Sequence, residues 1–285
     1  MDVSCKSSSR SVALLVCIIA SGLSHAEDVP LYARSNGVIQ FGAERMGLDS
    51  NLQIDSDDNG KGTRVDVEDD LGFDEHEASL RFSGFWRIAP KHRVAFSVTP
   101  LFREASATLS RDIEIEGDII KAGANVETDY DVVIGDVHYL YSPLQLDQFE
   151  LGVSAGMYHL IMDIDLDAFG TVSENGADFV PGTKYDYDND GSIPFPLVGI
   201  QADFYPNPKL KLSAKARLLS FEFDDLEGDI VFLSVGADFA INEHIGIGLS
   251  ASRMDMEFDA DDFDDVTGTF EWEHTGVEGH ISLKF

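Results

Sequence analysis

The sequence predicts an all-β fold, a closed antiparallel transmembrane β-barrel of about ten strands. Apolar and polar residues alternate along most of the chain, short turns alternate with long acidic segments, and the last predicted strand ends on Phe285. A period of two places successive side chains on opposite faces of a strand. An even strand number lets an antiparallel barrel close with both termini at one end. Eight or twelve strands stay open as alternatives, because segments 55–75 and 110–128 could hold further hairpins.

The first residues have the composition of a signal peptide. Lys6 and Arg10 give a positive start, residues 12–20 form an apolar run, and Ser24 and Ala26 place small residues before a cleavage site. The apolar run is shorter than the roughly 20 residues that a membrane helix needs. We therefore expect export and cleavage.

Cleavage divides the chain into three parts. We expect a signal peptide over residues 1–26, a short periplasmic segment over 27–36 and the barrel over 37–285. Both cysteines, Cys5 and Cys17, fall in the signal peptide. The mature protein then has no thiol, which excludes disulfides, cysteine-bound metals and a cysteine nucleophile.

The chain is strongly acidic, with 52 Asp and Glu against 20 Lys and Arg and a formal net charge of −32. This charge excludes nucleic acid as a partner, because contacts to phosphates need basic residues. Hydrophobic residues make up 44% of the chain, so the composition is that of a folded protein.

Ten stretches show the alternation of strands. Around Arg81, for example, Leu80 and Phe82 lie on one predicted face and Arg81 and Ser83 on the other. Several stretches exceed the roughly 9–11 residues that cross hydrocarbon at a tilt. The predicted strands cover residues 37–54, 75–89, 93–109, 126–142, 149–166, 192–206, 209–224, 229–241, 245–259 and 267–285.

The connections alternate in length, with brief turns between longer acidic segments. Such asymmetry is typical of a membrane barrel with short turns on one side and long loops on the other. The long segments lie around 55–75, 110–128, 167–191 and 259–267, with a shorter one at 224–229.

The polar faces predict a crowded, hydrated lumen. They carry small residues and charges of both signs, which can nearly fill a barrel of eight to ten strands. We expect these charges to pair and to leave at most a narrow polar path. Aromatic residues gather near the strand ends, as they do at membrane interfaces. The predicted lumen charges are Arg81, Arg87, Arg93, Arg103, Lys211, Lys215, Arg217, Asp238, Glu278 and His280.

The last strand has the pattern of an assembly signal. Residues 277–285 alternate and stop on a C-terminal phenylalanine. The strand resembles the C-terminal strand of Gram-negative outer-membrane proteins, and the chain resembles the OmpA-like and OmpW-like small barrels. It departs from that pattern at Gly279 and at Leu283, where an aromatic residue is common.

This resemblance implies a location in the outer membrane. The partners that it implies are outer-membrane lipid, lipopolysaccharide and the barrel-assembly machinery, which reads the C-terminal strand. The oligomeric state stays open.

One acidic segment has the donor spacing of a calcium loop. Residues 55–66 place oxygen donors at positions one, three, five, seven, nine and twelve around a central glycine. Turn-forming Asp, Asn and Gly also account for such a stretch. The candidate calcium ligands are Asp55, Asp57, Asn59, Lys61 through its carbonyl, Thr63 and Asp66. We expect no other cofactor, and a general accumulation of divalent cations along the acidic rim.

Two residue sets could carry catalysis. His280 and Ser282 share a strand face, as a base and its nucleophile would, but they lie at the periplasmic end. Asp136 and His138 lie away from the outer loops, where the Asp pairs of 163–167 emerge. We expect the histidines to form hydrogen bonds in the lumen and the protein not to be an enzyme.

The sequence thus predicts an outer-membrane barrel with a structural role or a narrow, cation-favouring pore or binding site for small solutes. A lipid-modifying enzyme or a protease is the first alternative. A surface adhesin that acts through long acidic loops is the second.

Overall fold

Residues 30–55, 62–115, 117–173, 179–223, 226–263 and 266–285 are described in the structure, which is a computed structural model. The predicted signal peptide lies outside these residues. Neither described helix is long and apolar enough to cross a membrane. The long strands are β1 (Gly37–Ile54), β3 (His76–Ala89), β4 (His92–Thr108), β7 (Asn125–Leu146), β8 (Phe149–Ser173), β9 (Val180–Asn207), β10 (Leu210–Phe223), β11 (Leu226–Ala240), β12 (Ile245–Phe263) and β13 (Val266–Lys284). The short elements are α1 (Leu31–Arg34), β2 (Val65–Asp66), α2 (Val67–Leu71), β5 (Ile113–Ile115) and β6 (Asp118–Ile120).

The ten long strands close into one antiparallel barrel. Each pairs with its neighbour along the chain, and β1 closes the ring by pairing with β13 from Val38↔Lys284 to Ile54↔Gly268. Closure gives every long strand a paired neighbour on both sides, as a membrane barrel requires, although β9 pairs with β10 only from Val198↔Leu218 to Asn207↔Leu210. The predicted fold class and the count of about ten strands are confirmed, and the predicted strand bounds agree closely for β1, β3 and β4.

The segment 167–191 differs from its prediction as a long acidic loop. Most of it is strand, because β8 continues to Ser173 and β9 begins at Val180. Alternation persists there: Tyr185 and Tyr187 are buried, whereas Asp186 between them is exposed. The acidic residues of this segment lie on the exposed face of β8 and β9, and these two strands extend beyond the rest of the wall.

The outer wall has two zones. We call the end with the brief connections the turn end and the opposite end the loop end. Toward the turn end, the outward side chains form an apolar belt that includes Phe41, Leu80, Trp86, Val98, Val137, Tyr139, Val153, Val198, Leu218, Val235, Leu249 and Val277. Above the belt, the outward side chains form an acidic collar of Asp49, Glu104, Glu127, Asp129, Asp131, Asp163, Asp165, Asp186, Asp188, Glu222, Glu227, Asp229, Glu257 and Asp259.

The interior is divided the other way. At the loop end it holds an apolar core to which most strands contribute, with Phe195 stacked on Phe258 at a ring-centroid distance of 4.3 Å. At the turn end the inward faces carry charged residues and serines. Inward side chains in a ten-stranded barrel can nearly fill its interior. The lumen is therefore filled by apolar side chains at the loop end and lined by polar side chains at the turn end.

Helix α2 folds into the loop end of the barrel. Asp66 caps it by accepting a hydrogen bond from Asp69 N at 2.8 Å, and Gly72 ends it with a φ of 81°. Such a positive φ favours glycine. The helix buries Val67 and Leu71 in the apolar core.

The N-terminal segment closes the turn end. Leu31 N donates to Pro208 O at 2.9 Å, and the Tyr32 hydroxyl bonds to Ser282 Oγ at 3.0 Å. Tyr32 is 2% exposed and packs with Val38 and Tyr205. The described part of the segment predicted to precede the barrel thus folds back as its floor.

Candidate functional site

A polar chamber lies between the Tyr32 floor and the apolar core. Its cavity volume is about 100 Å³, and one water needs roughly 10–15 Å³ of such space. The chamber therefore has room for several waters or one small solute. Its wall includes five basic side chains, Arg81, Arg93, Lys211, Lys215 and Arg217, and three acidic ones, Asp136, Asp238 and Glu278.

The free space narrows sharply above the chamber. The next cavity toward the loop end, which Met46, Tyr158 and Leu197 help to line, has a volume of about 20 Å³. That volume suits about one water. The chamber is therefore separated from the loop end by packed side chains of the described residues.

Asp136, His138 and Arg217 form one buried group in the chamber wall. Arg217 donates to Asp136 Oδ2 at 2.9 Å and to His138 Nε2 at 3.0 Å. A guanidinium only donates, so Nε2 accepts and the proton sits on Nδ1, which faces Asp136 Oδ1 at 3.3 Å. The group pairs one carboxylate with one cation and leaves the imidazole neutral.

Asp238 is the centre of a second group. Lys211 Nζ lies 3.0 Å from Asp238 Oδ2, and His280 Nε2 lies 2.8 Å from Asp238 Oδ1. Arg81 lies between two other carboxylates, 3.5 Å from Glu44 and 3.9 Å from Glu278. These contacts join five strands across the lumen.

Arg93 holds a third group near the turn end. It lies 3.2 Å from Glu150 and 3.0 Å from Asp203, and Arg87 shares Glu150 at 3.2 Å. The Arg93 guanidinium also lies over the Phe85 ring, 5.4 Å from its centroid, in a cation–π contact. All four charged side chains are buried or nearly so.

The predicted lumen charges all point inward, but the structure separates one of them from the rest. Arg103 lies in the loop half, 2.8 Å from Glu68 of α2 and 4.7 Å from the Phe73 ring centroid. Its partner came from a segment that the sequence marked as a loop. Arg103 therefore holds helix α2 in the loop end of the barrel and does not line the polar chamber.

Lys215 is the exception among the chamber cations. It makes no ion pair or hydrogen bond with any of the described residues, although it lines the cavity. Its register partners on the two neighbouring strands are the uncharged Ser234 and Gln201. The sequence grouped Lys215 with paired charges, and only the register shows that no acid stands beside it.

The candidate calcium segment is described in part. Asp57, Asn59 and Lys61 lie outside the described residues. Asp55 accepts from Gly62 N at 2.8 Å, and Thr63 Oγ1 accepts from Glu114 N at 3.0 Å.

The remaining candidate ligand, Asp66, has the capping role at α2 described above. Asp66 pairs in register with Asn51 on β1. Asn51 precedes Asp55 by four residues, so the backbone positions of Asp66 and Asp55 are roughly 13 Å apart along the strand direction. Among the described residues, no three His, Cys, Asp or Glu side chains are placed so that they could hold one metal ion. Calcium binding here stays a prediction.

The candidate catalytic pairs are placed as follows. Ser282 is bonded to Tyr32 and His280 to Asp238, so the two do not act on one another. Asp163 and Asp165 project outward into the collar, away from the buried His138.

The sequence did not predict one Ser–His contact. His159 Nε2 lies 2.7 Å from Ser192 Oγ on the outer wall, at the upper edge of the apolar belt. The two residues are 33 positions apart in sequence and meet only because β8 and β9 pair. No carboxylate orients the ring among the described residues, and the wall amides are engaged in the sheet. His159 and Ser192 therefore satisfy each other's hydrogen-bonding groups near the edge of the apolar belt.

Comparison with solved structures places the fold. The outer membrane protease OmpT from Escherichia coli superposes with a TM-score of 0.59 at 9% identity, over 88% of this chain and 97% of that chain. Two further matches are OprG from Pseudomonas aeruginosa (TM-score 0.37, 12% identity, 88% and 96% covered) and Ail of Yersinia pestis (0.31, 8%, 88% and 99%). No protein-family profile matches the sequence, and no curated protein does.

The chain has the fold of a small Gram-negative outer-membrane β-barrel. In such barrels the short turns face the periplasm and the long connections face outward. We therefore expect the turn end to be the periplasmic end and the acidic collar to lie on the extracellular side of the apolar belt. At 9% identity, the likeness to OmpT shows the fold alone.

Proposed function

We propose that this outer-membrane barrel has a structural role with a closed resting lumen, and that its extracellular collar concentrates cations. The observation that supports the closed lumen is the apolar core that fills the extracellular half. The periplasmic floor made by Tyr32 supports it from the other side. Small-solute binding is then confined to the polar chamber.

A bilayer recording tests the closed lumen. Wild-type protein in planar bilayers is expected to give no steady conductance. The double variant Phe195→Ala with Phe258→Ala removes the stacked pair from the core and should open steps that favour cations, because the collar attracts them to the entrance.

A matched double variant controls for loss of two phenylalanines. Phe41→Ala with Phe82→Ala removes a tilted pair, 5.0 Å apart, from the lipid-facing belt. It should leave the bilayer silent. Steady steps from the wild type would overturn the proposal in favour of a resting pore.

The collar supports cation accumulation through its geometry. Asp129 on β7, Asp165 on β8 and Asp188 on β9 lie directly opposite one another. Neighbouring strands are roughly 4.8 Å apart, and like charges opposite each other destabilise a sheet. Partial desolvation and nearby carboxylates, including Asp167 and Asp188, raise the pKa of Asp165.

We expect Mg²⁺ to relieve this repulsion. A carboxyl whose folded-state pKa is raised destabilises the fold at neutral pH. That effect shrinks as the pH falls below the folded-state pKa and is gone below the unfolded-state pKa. At pH 7, Mg²⁺ should therefore slow amide exchange at the Asp165 and Asp188 segments, measured by mass spectrometry. The effect should be smaller at acidic pH and in Asp165→Asn.

Asp255→Asn is the control, because Arg253 already lies 2.9 Å from both Asp255 and Glu273. It should leave the Mg²⁺ response of the Asp165 segment unchanged. A wild-type wall that exchanges at one rate with and without Mg²⁺ would contradict cation accumulation.

A further inference from the structure

Lys215 faces the chamber and makes no ion pair with any described residue. Asp203 attracts it only at longer range and is already paired with Arg93 at 3.0 Å. Each of the four other basic side chains is neutralised: Lys211 by Asp238 at 3.0 Å, Arg217 by Asp136 at 2.9 Å, Arg81 by the acids on either side of it, and Arg93 by Glu150 and Asp203. Every carboxylate of the chamber wall is thus already engaged with another cation.

An unpaired ammonium inside a barrel is costly unless something compensates it. Removal of a charge from bulk water costs several kcal/mol in a protein interior, after relaxation and water penetration. Water in the cavity compensates part of this cost, and a bound anion would compensate more. Lys215 is therefore the chamber cation whose charge no described side chain neutralises, so its charge can attract an anion.

The neighbours of Lys215 are hydrogen-bond donors without charge. Ser213 precedes it on the same inward face of β10, and Ser234 stands opposite it on β11. Both line the cavity, and neither side chain competes for the ammonium as a carboxylate would. Hydroxyls beside a cation are suited to the oxygens of a small anion.

We propose that the chamber is a binding site for a small oxyanion of phosphate size, held by Lys215 with Ser213 and Ser234 as neutral donors. The chamber volume of about 100 Å³ admits a solute of this size and excludes a large one. This site is inside the barrel and does not depend on the extracellular collar, so either can fail without the other.

The anion enters from the periplasmic side. The extracellular route crosses the apolar core, whereas the periplasmic route is covered by one helical turn. That turn is held by hydrogen bonds from Leu31 N to Pro208 O and between the Tyr32 hydroxyl and Ser282. The Tyr32 ring also packs in an apolar cluster, with Lys284 Nζ at 4.4 Å and Lys211 Nζ at 5.2 Å from its centroid. Tyr32→Ala is expected to speed exchange of the bound anion.

Calorimetric titration with inorganic phosphate at constant ionic strength tests the site in the full-length purified protein. Lys215→Gln should weaken phosphate binding about tenfold or more, because a hydrogen bond to a charged group contributes roughly 1.5–3 kcal/mol. Lys209→Gln is the matched control, since Lys209 is exposed in the adjacent turn outside the lumen. It should bind phosphate as the wild type does.

A second measurement needs no variant. Acylation of amines with acetic anhydride, read by peptide mass spectrometry, should be slowed at Lys215 by phosphate and unchanged at Lys209. Equal phosphate affinity in wild type and Lys215→Gln would overturn the proposal. So would a wild-type protein whose Lys215 reacts at one rate with and without phosphate.

Discussion

Replacement of Arg93 by methionine is expected to lower the free energy of unfolding by about 3–5 kcal/mol. Arg93 and Asp203 have side chains that are 3% and 0% exposed, and the guanidinium is the cation that contacts both Asp203 and Glu150. Methionine fills similar space without charge, so the buried Asp203 loses its ion pair and Glu150 keeps only the one with Arg87. Urea unfolding in lipid vesicles, followed by tryptophan fluorescence, measures the change.

Two further variants isolate the cause. Adding Asp203→Asn to Arg93→Met should recover part of the loss, because an uncharged amide avoids the cost of a buried carboxylate. Arg111→Met breaks the exposed pair with Asp70 and should cost within about 1 kcal/mol. A single Arg93→Met variant as stable as the wild type would show that the turn-end group is not structural.

Val235→Arg is expected to destabilise the barrel by about 2–4 kcal/mol, the range for a basic residue at the middle of the lipid-facing band. Val235 is 59% exposed on the outer wall, in the middle of the belt portion of β11. In lipid an arginine there must reach water or distort the bilayer. Unfolding in vesicles of defined thickness gives the cost.

Asp229→Arg, six residues before Val235, is the control. Asp229 lies on the same face of β11 but within the collar, where an arginine is expected to change stability by about 0–1 kcal/mol. Equal effects at the two positions would mean that the belt does not face hydrocarbon, and the membrane orientation would have to be revised.

The wall could be predicted from the sequence because its pattern is local. Each strand is two-faced, and alternation around Arg81 identifies both the strand and the side that faces inward. The acidic stretch 167–191 was the main departure. Composition suggested a loop, whereas the buried Tyr185 and Tyr187 show that alternation, the stronger physical signal, continues through it.

The candidate site was only half predictable. The inward charges Lys211 and Arg217 could be named from the face on which they lie, but their partners could not. Asp136 is 81 residues from Arg217, and the two meet across the lumen only when the barrel closes. Tyr32 was assigned to a segment before the barrel, and nothing in its local pattern showed that it returns to form the floor.

The sequence by itself determined the closed β-barrel, its acidic character and the inward face of each strand. These follow from period-two alternation and charge, which require no knowledge of neighbours. Only the tertiary structure decided that the lumen is apolar at one end, polar at the other and floored by Tyr32. It also decided that Lys215 lacks an acidic partner, because pairing across strands depends on register and closure, and both are set by the whole barrel.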